Sequence, residues 1–246
     1  MNIVVTAGNT QTLIDQVRCI TNIFTGRTGA AVALEAHRRG HQVTLLTSHP
    51  DVVDDLVEAN HSLAEQWTVQ RYRTFEDLDA RMAELVPQPG LDALIHSAAV
   101  SDYRSAGVFA PGHDAYFDEA SRTWHGAGRL IDMTAGKVKS DAPELWLRLV
   151  RTPKLVDKVR QEWGFRGVLV KFKLEVSVSD ERLVEIAERS RRQSGADFMV
   201  ANTLETASQW AFVGPHGGQY RRISRRALAE QVIDAVEQLH REARRG

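Results

Sequence analysis

The residues best suited to chemistry begin within the first thirty positions of the chain. A β-type run, Asn2–Ala7, leads into a loop rich in Gly, Asn and Thr, and a helix start follows at Gly26-Arg27-Thr28-Gly29. Such an arrangement binds anions, because the unpaired N–H groups and the dipole of a helix N-terminus point at the bound charge. Gly8, Gly26 and Gly29 would let phosphate oxygens approach the backbone. The segment predicts a nucleotide site, although it matches neither G-x-G-x-x-G nor G-x-x-x-x-G-K-S/T.

Two polar residues stand where predicted strands end. Asp102 follows the apolar run Leu91–Val100, and Asn202 follows Phe198–Ala201. In an open α/β sheet the ligand lies outside the carboxyl ends of the strands, so a polar side chain there is placed to contact it. A turn residue at a strand end is an equally good interpretation of Asp102. Asn202 is the stronger candidate of the two.

The elements that must position these residues alternate between strand and helix patterns. Strands are predicted at Asn2–Ala7, Gln42–Thr47, Trp67–Tyr72, Leu91–Val100, Leu145–Val150, Gly167–Val176 and Phe198–Ala201. Helices are predicted at Gly29–Arg39, Asp51–Glu65, Thr74–Leu85 and Asp180–Arg192, with one more starting at Thr152-Pro153 and a last one capped by Ser224. This order predicts one α/β domain over residues 1–246, with a doubly wound, mostly parallel, Rossmann-like sheet. The loops at 8–25 and 101–110 are then expected to face the same crevice.

Two segments interrupt the alternation. Residues 105–134 carry Gly, Pro, His and Asp with no sustained period, so a long inserted loop is predicted there, with an irregular hairpin around Tyr116–His125. Ala211–Ile223 predicts a hairpin about Gly214–Gly218, and a final amphipathic helix follows it. The predicted fold is therefore α/β with a long loop insertion and a C-terminal hairpin plus helix.

The composition is that of an ordinary globular protein. The chain is 43% hydrophobic and 26% charged, with a formal net charge of -1, which gives no support for binding to nucleic acid or a membrane surface. No run is long enough for a membrane span, and the N-terminus lacks a signal-peptide pattern. The single cysteine, Cys19, cannot form an intrachain disulfide, so a reducing, cytoplasmic location is predicted.

Six segments, taken in chain order, carry a family resemblance. They are AGNTQTLIDQVRCITNIFTGRTG, SAAVSDYR, the lysine segment Lys137-Val138-Lys139-Ser140, LVRTPKL, VLVKFKLE and DFMVANTLE. Together they resemble the glycine-rich opening, the AAVxDY segment, the mobile lysine loop and the three later motifs of phosphopantothenate–cysteine ligase. The resemblance runs nearly end to end, apart from extra residues in the 105–134 loop. The KFKLE and Lys-x-x-Ser forms resemble the stand-alone ligases more than the ligase half of the bifunctional bacterial proteins.

That resemblance implies a specific reaction. The family joins 4′-phosphopantothenate to L-cysteine through an amide bond, in coenzyme A biosynthesis. The carboxylate attacks the α-phosphate of a nucleoside triphosphate, pyrophosphate leaves, and the cysteine amine then displaces the nucleotide from the acyl-nucleotide. The resemblance further implies CTP or ATP as co-substrate, Mg²⁺ as cofactor, and a homodimer formed through the hairpin region 210–223.

The site residues follow from their register with the family motifs. Catalytic roles fall on Asn22, Lys137 and Asp102; nucleotide-binding roles on Gly8, Thr25, Gly26, Gly29, Phe172 and Asn202; and substrate-binding roles on Asn22, Ala98, Ala99 and Asp102. The amide of Asn22 can donate to a carbonyl without adding charge, and the flexible ammonium of Lys137 can neutralise charge on the α-phosphate. Taken as residues alone, Asn22 also suits a loop turn, Lys137 a solvated surface and Phe172 a strand core. Metal ligands are not assigned.

Four positions depart from the family pattern. Ser190 and Ser194 stand where CTP-using relatives carry two lysines, and Lys154 replaces the aspartate of the Pro-Asp turn. The choice between CTP and ATP is therefore open. Ser140 replaces the last lysine of the lysine loop, which leaves Lys139 a weaker helper.

Two other functions remain as alternatives. A nucleotide-binding paralogue that no longer makes the amide would account for Ser140, Lys154 and the long 105–134 segment. A less favoured alternative is an NAD(P)-dependent oxidoreductase on a similar sheet. The second strand ends in Thr47-Ser48-His49, with no acid to hold a ribose hydroxyl. Tyr103 also lacks a lysine four residues further on.

Overall fold

The computed structural model describes residues 1–57, 67–126 and 129–245 of the chain. Backbone contacts divide these residues into two compact units. Within the described ranges, the first unit comprises Met1–Thr10, Ile23–Ala99 and Lys154–Gly246, and the second comprises Gln11–Asn22 and Val100–Pro153. The single α/β domain over 1–246 stays a prediction.

Strands and helices alternate through most of the first unit, whereas the described residues of the second unit form strands and no helix. In chain order the described strands are β1 (Asn2–Ala7), β2 (Gln11–Leu13), β3 (Cys19–Thr21), β4 (Gln42–Thr47), β5 (Trp67–Arg71), β6 (Ala93–His96), β7 (Tyr103–Pro111), β8 (Tyr116–Asp118), β9 (Thr123–His125), β10 (Leu130–Asp132), β11 (Trp146–Arg151), β12 (Val168–Glu175), β13 (Phe198–Thr203), β14 (Trp210–His216) and β15 (Gln219–Ser224). The described helices are α1 (Arg27–Arg38), α2 (Asp51–Asp54), α3 (Phe75–Leu85), α4 (Leu155–Gln161), α5 (Asp180–Ser194) and α6 (Leu228–Ala243).

One large sheet organises the first unit, with the strand order β15-β14-β13-β12-β6-β1-β4-β5. Neighbouring strands from β5 to β13 pair in parallel, and β14 and β15 continue the sheet antiparallel. The central strands β1 and β6 are buried along nearly their whole length, as expected for parallel strands with both faces covered. The predicted doubly wound, mostly parallel α/β sheet is therefore confirmed.

Local capping sets the ends of two helices. The Thr74 hydroxyl accepts a hydrogen bond from the Asp77 N–H, and the Asp77 carboxylate accepts one from the Thr74 N–H. This capping box starts α3 at Thr74, where the predicted helix begins. Ser179 caps α5 by accepting from the Arg182 N–H. Gly195, in the left-handed conformation, ends the same helix.

Two helix predictions differ from the structure. The predicted start of α4 at Thr152-Pro153 was wrong, because its N-cap residue is Lys154. The Thr152 hydroxyl is engaged elsewhere, donating to the Ser101 carbonyl at 2.7 Å. The helix predicted at Asp51–Glu65 is present as α2 and a following turn, and residues 58–66 of that prediction lie outside the described residues.

The predicted C-terminal hairpin and helix are confirmed. β14 and β15 pair antiparallel, and the two residues between them, Gly217 and Gly218, both have positive φ. Ser224 accepts from the Ala227 N–H at 3.4 Å and starts one 3₁₀ turn, which leads into α6. α6 buries residues such as Val232 in the main core. Of the helices within the described ranges, neither α6 nor any other is long and apolar enough to cross a membrane.

Strands, not a long loop, occupy much of the segment 105–134. β7 pairs with β10 and β11 in a three-stranded antiparallel sheet, and β8 and β9 form the hairpin predicted around Tyr116–His125. The rings of Phe117, Trp124 and Trp146 pack with centroids 4.6 Å to 5.7 Å apart and form a small apolar cluster.

The loop prediction was wrong for two reasons. The nine-residue β7 contains Gly107 and ends at Pro111, residue types that are rare in strands. β8, β9 and β10 have three residues each, too few to show a period. For the same reason the hairpin β2–β3, in the segment between β1 and α1, was not predicted.

Candidate active site

A pocket opens at the carboxyl ends of four parallel strands of the first unit. Its volume is ≈ 360 Å³, which lies within the usual range for small-molecule sites, roughly 300–1,000 Å³. The lining comes from the ends of β1, β6, β12 and β13, from the start of α1, and from residues flanking the C-terminal hairpin. The residues predicted to bind nucleotide that line it are Gly8, Thr25, Gly26, Phe172 and Asn202. This is the edge at which an open α/β sheet holds its ligand.

Two glycines allow the end of β1 to approach the start of α1. Gly8 has a φ of +90° and Gly26 a φ of +84°, a region that other residues rarely adopt. A Cβ on Gly26 would lie 2.2 Å from the Gly8 nitrogen, and a Cβ on Gly8 would lie 2.1 Å from Ser48 Oγ. Neither position can carry a side chain without displacing its neighbours, so backbone lines this part of the pocket.

The first turn of α1 lies at the pocket wall without a side-chain cap. Its N-cap residue is Gly26, and no acidic residue is present in the first turn. The first N–H groups of the helix are therefore available to an anion. Gly29 lies in this turn, where a Cβ would be 2.5 Å from Ser97 Oγ. The absence of a side chain at Gly29 therefore permits α1 to pack closely against Ser97. The contact of Gly29 with a nucleotide stays a prediction.

Phe172 and Asn202 lie on the neighbouring strands β12 and β13. Phe172 packs against the main core and also lines the pocket, so the geometry accommodates both interpretations of this residue. Asn202 is half-buried, and its partner across the strand pair is Leu174, which lines the pocket as well. An apolar ring beside an amide provides a stacking face and hydrogen-bonding groups for a nucleobase.

Three basic side chains that were not predicted also line this pocket. Arg27 is exposed at the start of α1, and Lys173 forms an ion pair with Glu175 at 2.8 Å. Arg225 is half-buried, and its guanidinium donates a hydrogen bond to the Thr28 hydroxyl. Burial lowers the pKa of Arg225. No sequence pattern marks this arginine, since its position depends on the hairpin that returns the chain to α1.

A buried hydrogen-bond network supports the pocket wall at the end of β6. Thr6 Oγ1 accepts from the Ala98 N–H at 3.2 Å and lies 2.9 Å from His96 Nδ1. The hydroxyl can donate to Nδ1 when the imidazole is neutral. Burial, with the nearby Lys171 charge, lowers the pKa of His96 to about 4, and burial lowers the pKa of Lys171 to about 8. The network thus holds Ala98 beside Ala99 in the pocket lining, while the substrate contacts of these two alanines stay predictions.

Two of the predicted catalytic residues lie together in a pocket of the second unit. Asn22 and Asp102 both line this cavity, whose volume is ≈ 250 Å³. The Thr12 hydroxyl donates to the Tyr103 carbonyl at 2.9 Å, which ties β2 to the start of β7 at the pocket wall. The structure therefore brings the amide of Asn22 and the exposed residue Asp102 into one cavity, as two groups that act on one substrate require.

Lys137, the third predicted catalytic residue, is exposed and does not line either of these pockets. Hydrogen bonds hold the backbone on both sides of it. The Gln16 N–H donates to the Gly136 carbonyl at 3.0 Å, and the Val138 N–H donates to Asp15 Oδ2 at 3.1 Å. The lysine segment is therefore anchored next to Lys137, while the lysine side chain projects from it.

Asp15 and Arg18 form the anchor of the lysine segment. The Asp15 side chain is buried and accepts from the Arg18 guanidinium at 2.7 Å, and that guanidinium donates to the Val138 carbonyl at 2.6 Å. Asp15 also accepts from the Val17 and Arg18 N–H groups. The hydrogen bond from the Arg18 side chain, with those from the backbone, holds the pKa of Asp15 far below its usual range.

Ser190 and Ser194 lie on α5 and do not line either pocket. Ser194 is buried and donates to the Ser190 carbonyl at 3.1 Å, to which the Lys171 ammonium also donates, at 3.3 Å. These hydrogen bonds connect α5 to β12. They do not bear on the nucleotide base, so the choice between CTP and ATP stays open. Within the described ranges, no group of three or more His, Cys, Asp or Glu residues is placed to hold a metal ion.

Comparisons with known proteins bear on this site. The chain matches the family model described as DNA/pantothenate metabolism flavoprotein C-terminal domain over residues 1–111 and 129–239. It is 32% identical, over 246 residues, to the coenzyme A biosynthesis bifunctional protein CoaBC of Thermococcus kodakarensis. That match covers 96% of this chain and 51% of the relative. The chain thus spans about half the length of the curated relatives it matches.

Solved structures share the fold. The crystal structure of the DNA/pantothenate metabolism flavoprotein from Streptococcus pneumoniae has a TM-score of 0.75 and 26% identity, covering 97% of this chain and 99% of that one. A Cab2 mutant in complex with phosphopantothenate-cysteine has a TM-score of 0.67 over 98% of this chain and 86% of that one. Its identity is 16%, so this likeness concerns the fold alone.

Proposed function

We propose that this chain, which belongs to the DNA/pantothenate metabolism flavoprotein C-terminal domain family, is a ligase that joins 4′-phosphopantothenate to L-cysteine in coenzyme A biosynthesis. The observation that carries the proposal is the pocket at the strand ends, which gathers Gly8, Thr25, Gly26, Phe172 and Asn202. The Thermococcus relative is named as a coenzyme A biosynthesis protein, which supports the same pathway. The family resemblance drawn from the sequence motifs is confirmed by the family match.

The proposed reaction has two steps. A carboxylate oxygen of 4′-phosphopantothenate attacks the α-phosphorus, and the bond from that phosphorus to the oxygen bridging the β-phosphate breaks. Pyrophosphate leaves with the bonding electron pair. The cysteine amine then attacks the acyl carbon, loses a proton, and displaces the nucleoside monophosphate. Activation is needed because a free carboxylate is a poor electrophile.

The first unit is proposed to bind the nucleoside triphosphate. The backbone at Gly8 and Gly26 and the Thr25 hydroxyl would donate to phosphate oxygens, with Gly29 shaping the same turn. Phe172 and Asn202 would contact the nucleoside. The co-substrate is CTP or ATP, since both bases offer a ring to stack and groups that an amide can hydrogen-bond.

The second unit is proposed to supply the groups that act on the acyl chemistry. Asn22 would donate its amide N–H to the acyl carbonyl, and Asp102 would contact the substrate in the cavity that both residues line. Lys137 would neutralise charge that develops on the α-phosphate. Ala98 and Ala99, which line the pocket of the first unit, are proposed as further substrate contacts.

Cofactor, assembly and location complete the proposal. Mg²⁺ would act as the counter-ion of the triphosphate, because it binds such sites through substrate phosphates and one or two carboxylates. The hairpin region 210–223 would form a homodimer contact, since β15 is an edge strand of the sheet with backbone groups to pair. Sedimentation at twice the 27.5 kDa of one chain would support this. A cytoplasmic location suits a reaction whose substrate and product carry a free thiol.

Detection of the amide product tests the proposal. Incubation with 4′-phosphopantothenate, L-cysteine, Mg²⁺ and either CTP or ATP should yield 4′-phosphopantothenoylcysteine by mass spectrometry. Omitting the nucleotide should abolish the product. A folded protein that yields no product with either nucleotide would contradict the ligase function.

A further inference from the structure

A further pocket of the first unit, separate from the cavity that contains Asn22 and Asp102, shares a wall with the candidate nucleotide pocket. Its volume is ≈ 220 Å³, and it lies between the start of α1 and the start of α6. Arg27, Thr28 and Arg225 line both pockets, so these residues form the shared wall. Arg226 adds a third guanidinium to the smaller pocket. Three arginines thus line a pocket that shares part of its wall with the candidate nucleotide pocket.

These three guanidinium groups lack a carboxylate partner within the described residues. Other arginines are paired, for example Arg39 with Glu35 at 2.8 Å and Arg191 with Glu188 at 2.7 Å. No ion pair between described residues involves Arg27, Arg225 or Arg226. Like charges placed together without counter-charge raise the free energy of the folded state. Arg27 and Arg226 are exposed to water, whereas Arg225 is half-buried, so an anion in the shared wall would stabilise the charge of Arg225 most.

Arg225 is the most informative member of the cluster. A guanidinium has five N–H donors, and Arg225 donates from Nη2 to the Thr28 hydroxyl. Its half-buried charge has lost part of its hydration, and burial lowers its pKa accordingly. The planar donor fork of arginine matches phosphate oxygens in a bidentate arrangement. A phosphate group in the shared wall would restore both the charge balance and the missing hydrogen bonds.

We propose that Arg27, Arg225 and Arg226 form a subsite for the β- and γ-phosphates of the nucleoside triphosphate and for the pyrophosphate that leaves. This inference rests on the proposed function and adds a binding site to it. The larger pocket would take the nucleoside and α-phosphate. The smaller pocket, below the roughly 300 Å³ of a complete small-molecule site, would take the rest of the phosphate chain. When the bond to the bridging oxygen breaks, charge builds up on the departing pyrophosphate, and the guanidinium groups stabilise it there.

Calorimetric titration of the full chain with inorganic pyrophosphate, CTP and ATP tests the subsite directly. Arg225→Ala should weaken binding of pyrophosphate and both triphosphates by about 10-fold or more, the usual effect of losing hydrogen bonds to a charged group. Arg226→Ala should weaken the same ligands by a smaller factor, and Arg225→Lys should fall between Arg225→Ala and the wild type. CMP, AMP and 4′-phosphopantothenate should bind each variant as they bind the wild type. Arg189→Ala, which removes an exposed arginine on α5 outside both pockets, is the matched control.

The possible outcomes separate this subsite from the ligase function. Unchanged binding of pyrophosphate and triphosphates by folded Arg225→Ala would overturn the subsite, even if the wild type forms the amide. A loss confined to 4′-phosphopantothenate would overturn it as well, by assigning the arginines to a different phosphate. Arg225-dependent pyrophosphate binding in a wild type that forms no amide would support the subsite and contradict the ligase. If thermal unfolding shows that Arg225→Ala does not fold, Arg225→Lys and Arg226→Ala decide the question by the same criteria.

Discussion

The candidate residues differ in how firmly the fold holds them. Asn202 and Arg225 are half-buried in a pocket wall made of strand ends and a helix start. Lys137 is exposed, yet the carbonyl of Gly136 and the N–H of Val138 on either side of it are hydrogen-bonded. A mobile ammonium on a fixed backbone suits a group that must meet charge as it develops on a phosphate.

Lys137→Ala tests that role. We expect turnover to fall by about 10²-fold, the usual effect of removing one group that stabilises transition-state charge. The free energy of unfolding should stay within about 0.5 kcal/mol of the wild type, because the side chain is exposed. Steady-state kinetics of pyrophosphate release and chemical denaturation are the measurements. Lys139→Ala, two residues away and also exposed, should lose much less, and equal losses in the two variants would remove the special role of Lys137.

The buried imidazole of His96 should make the free energy of unfolding depend on pH in the acid range. Its pKa is lowered from 6.5 to about 4 by burial and the Lys171 charge, so between these values the unfolded chain binds a proton that the folded chain excludes. The free energy of unfolding therefore falls as the pH drops through this window. One group contributes about 1.4 kcal/mol per pH unit at most, hence about 3 kcal/mol over the whole window.

Denaturant unfolding at pH 7 and pH 4.5 measures this effect. His96→Asn keeps an acceptor for the Thr6 hydroxyl but cannot titrate, so it should lose less stability on acidification than the wild type. His113→Asn, which removes an exposed histidine, should behave as the wild type does. An acid sensitivity that is the same in His96→Asn and the wild type would show that this histidine is not the titrating group.

At the scale of elements, the site depends on the junction of β1 with α1. Gly26→Ala would place a Cβ 2.2 Å from the Gly8 backbone nitrogen, in addition to the strain of a φ of +84°. Gly40→Ala, at the end of α1, imposes a similar φ of +79° but meets nothing within 4 Å. Gly40→Ala, the control, should lower the free energy of unfolding by about 1 kcal/mol through backbone strain alone. Gly26→Ala should cost about 2 kcal/mol more, from overpacking, and should also weaken nucleotide binding. Equal costs by denaturant unfolding would contradict the close approach.

The elements also show where sequence patterns suffice and where they fail. β12 and β13 could be predicted because apolar runs of strand length leave a clear pattern, and α3 because Thr74 and Asp77 define a capping box. The hairpin of β8 and β9 could be placed only approximately, because its packing joins Phe117 and Trp124 to Trp146 on the distant strand β11. The three-residue strand β10 was missed, since so short a strand shows no period. Thr152 misled the prediction of α4, because its hydroxyl bonds to a residue far away in sequence.

The same distinction applies to the site. Asn202 could be placed at the ligand edge because the end of a buried strand is visible in the sequence. Arg225 could not, since its position in the pocket wall depends on the pairing of β14 with β15 and on its contact with Thr28, which is distant in sequence. Only the tertiary structure brings the arginines of the proposed phosphate subsite together.

For the whole molecule, two units divide the predicted residues. The first unit gathers the residues assigned to the nucleotide, except Gly29, in one pocket, and the second gathers Asn22 and Asp102 in another. That the loops at 8–25 and 101–110 face one crevice stays a prediction. This division suits the proposed two-step reaction. A nucleotide first activates the carboxylate of 4′-phosphopantothenate, and the cysteine amine then displaces the nucleoside monophosphate.

Pyrophosphate release tests the central claim most directly. The full chain would be assayed with Mg²⁺ and CTP or ATP, with and without 4′-phosphopantothenate, and with and without L-cysteine. We predict release that requires 4′-phosphopantothenate, that L-cysteine accelerates, and that one of the two nucleotides supports better. No release with either nucleotide, or release that is independent of 4′-phosphopantothenate, would contradict the assignment of this chain as the ligase.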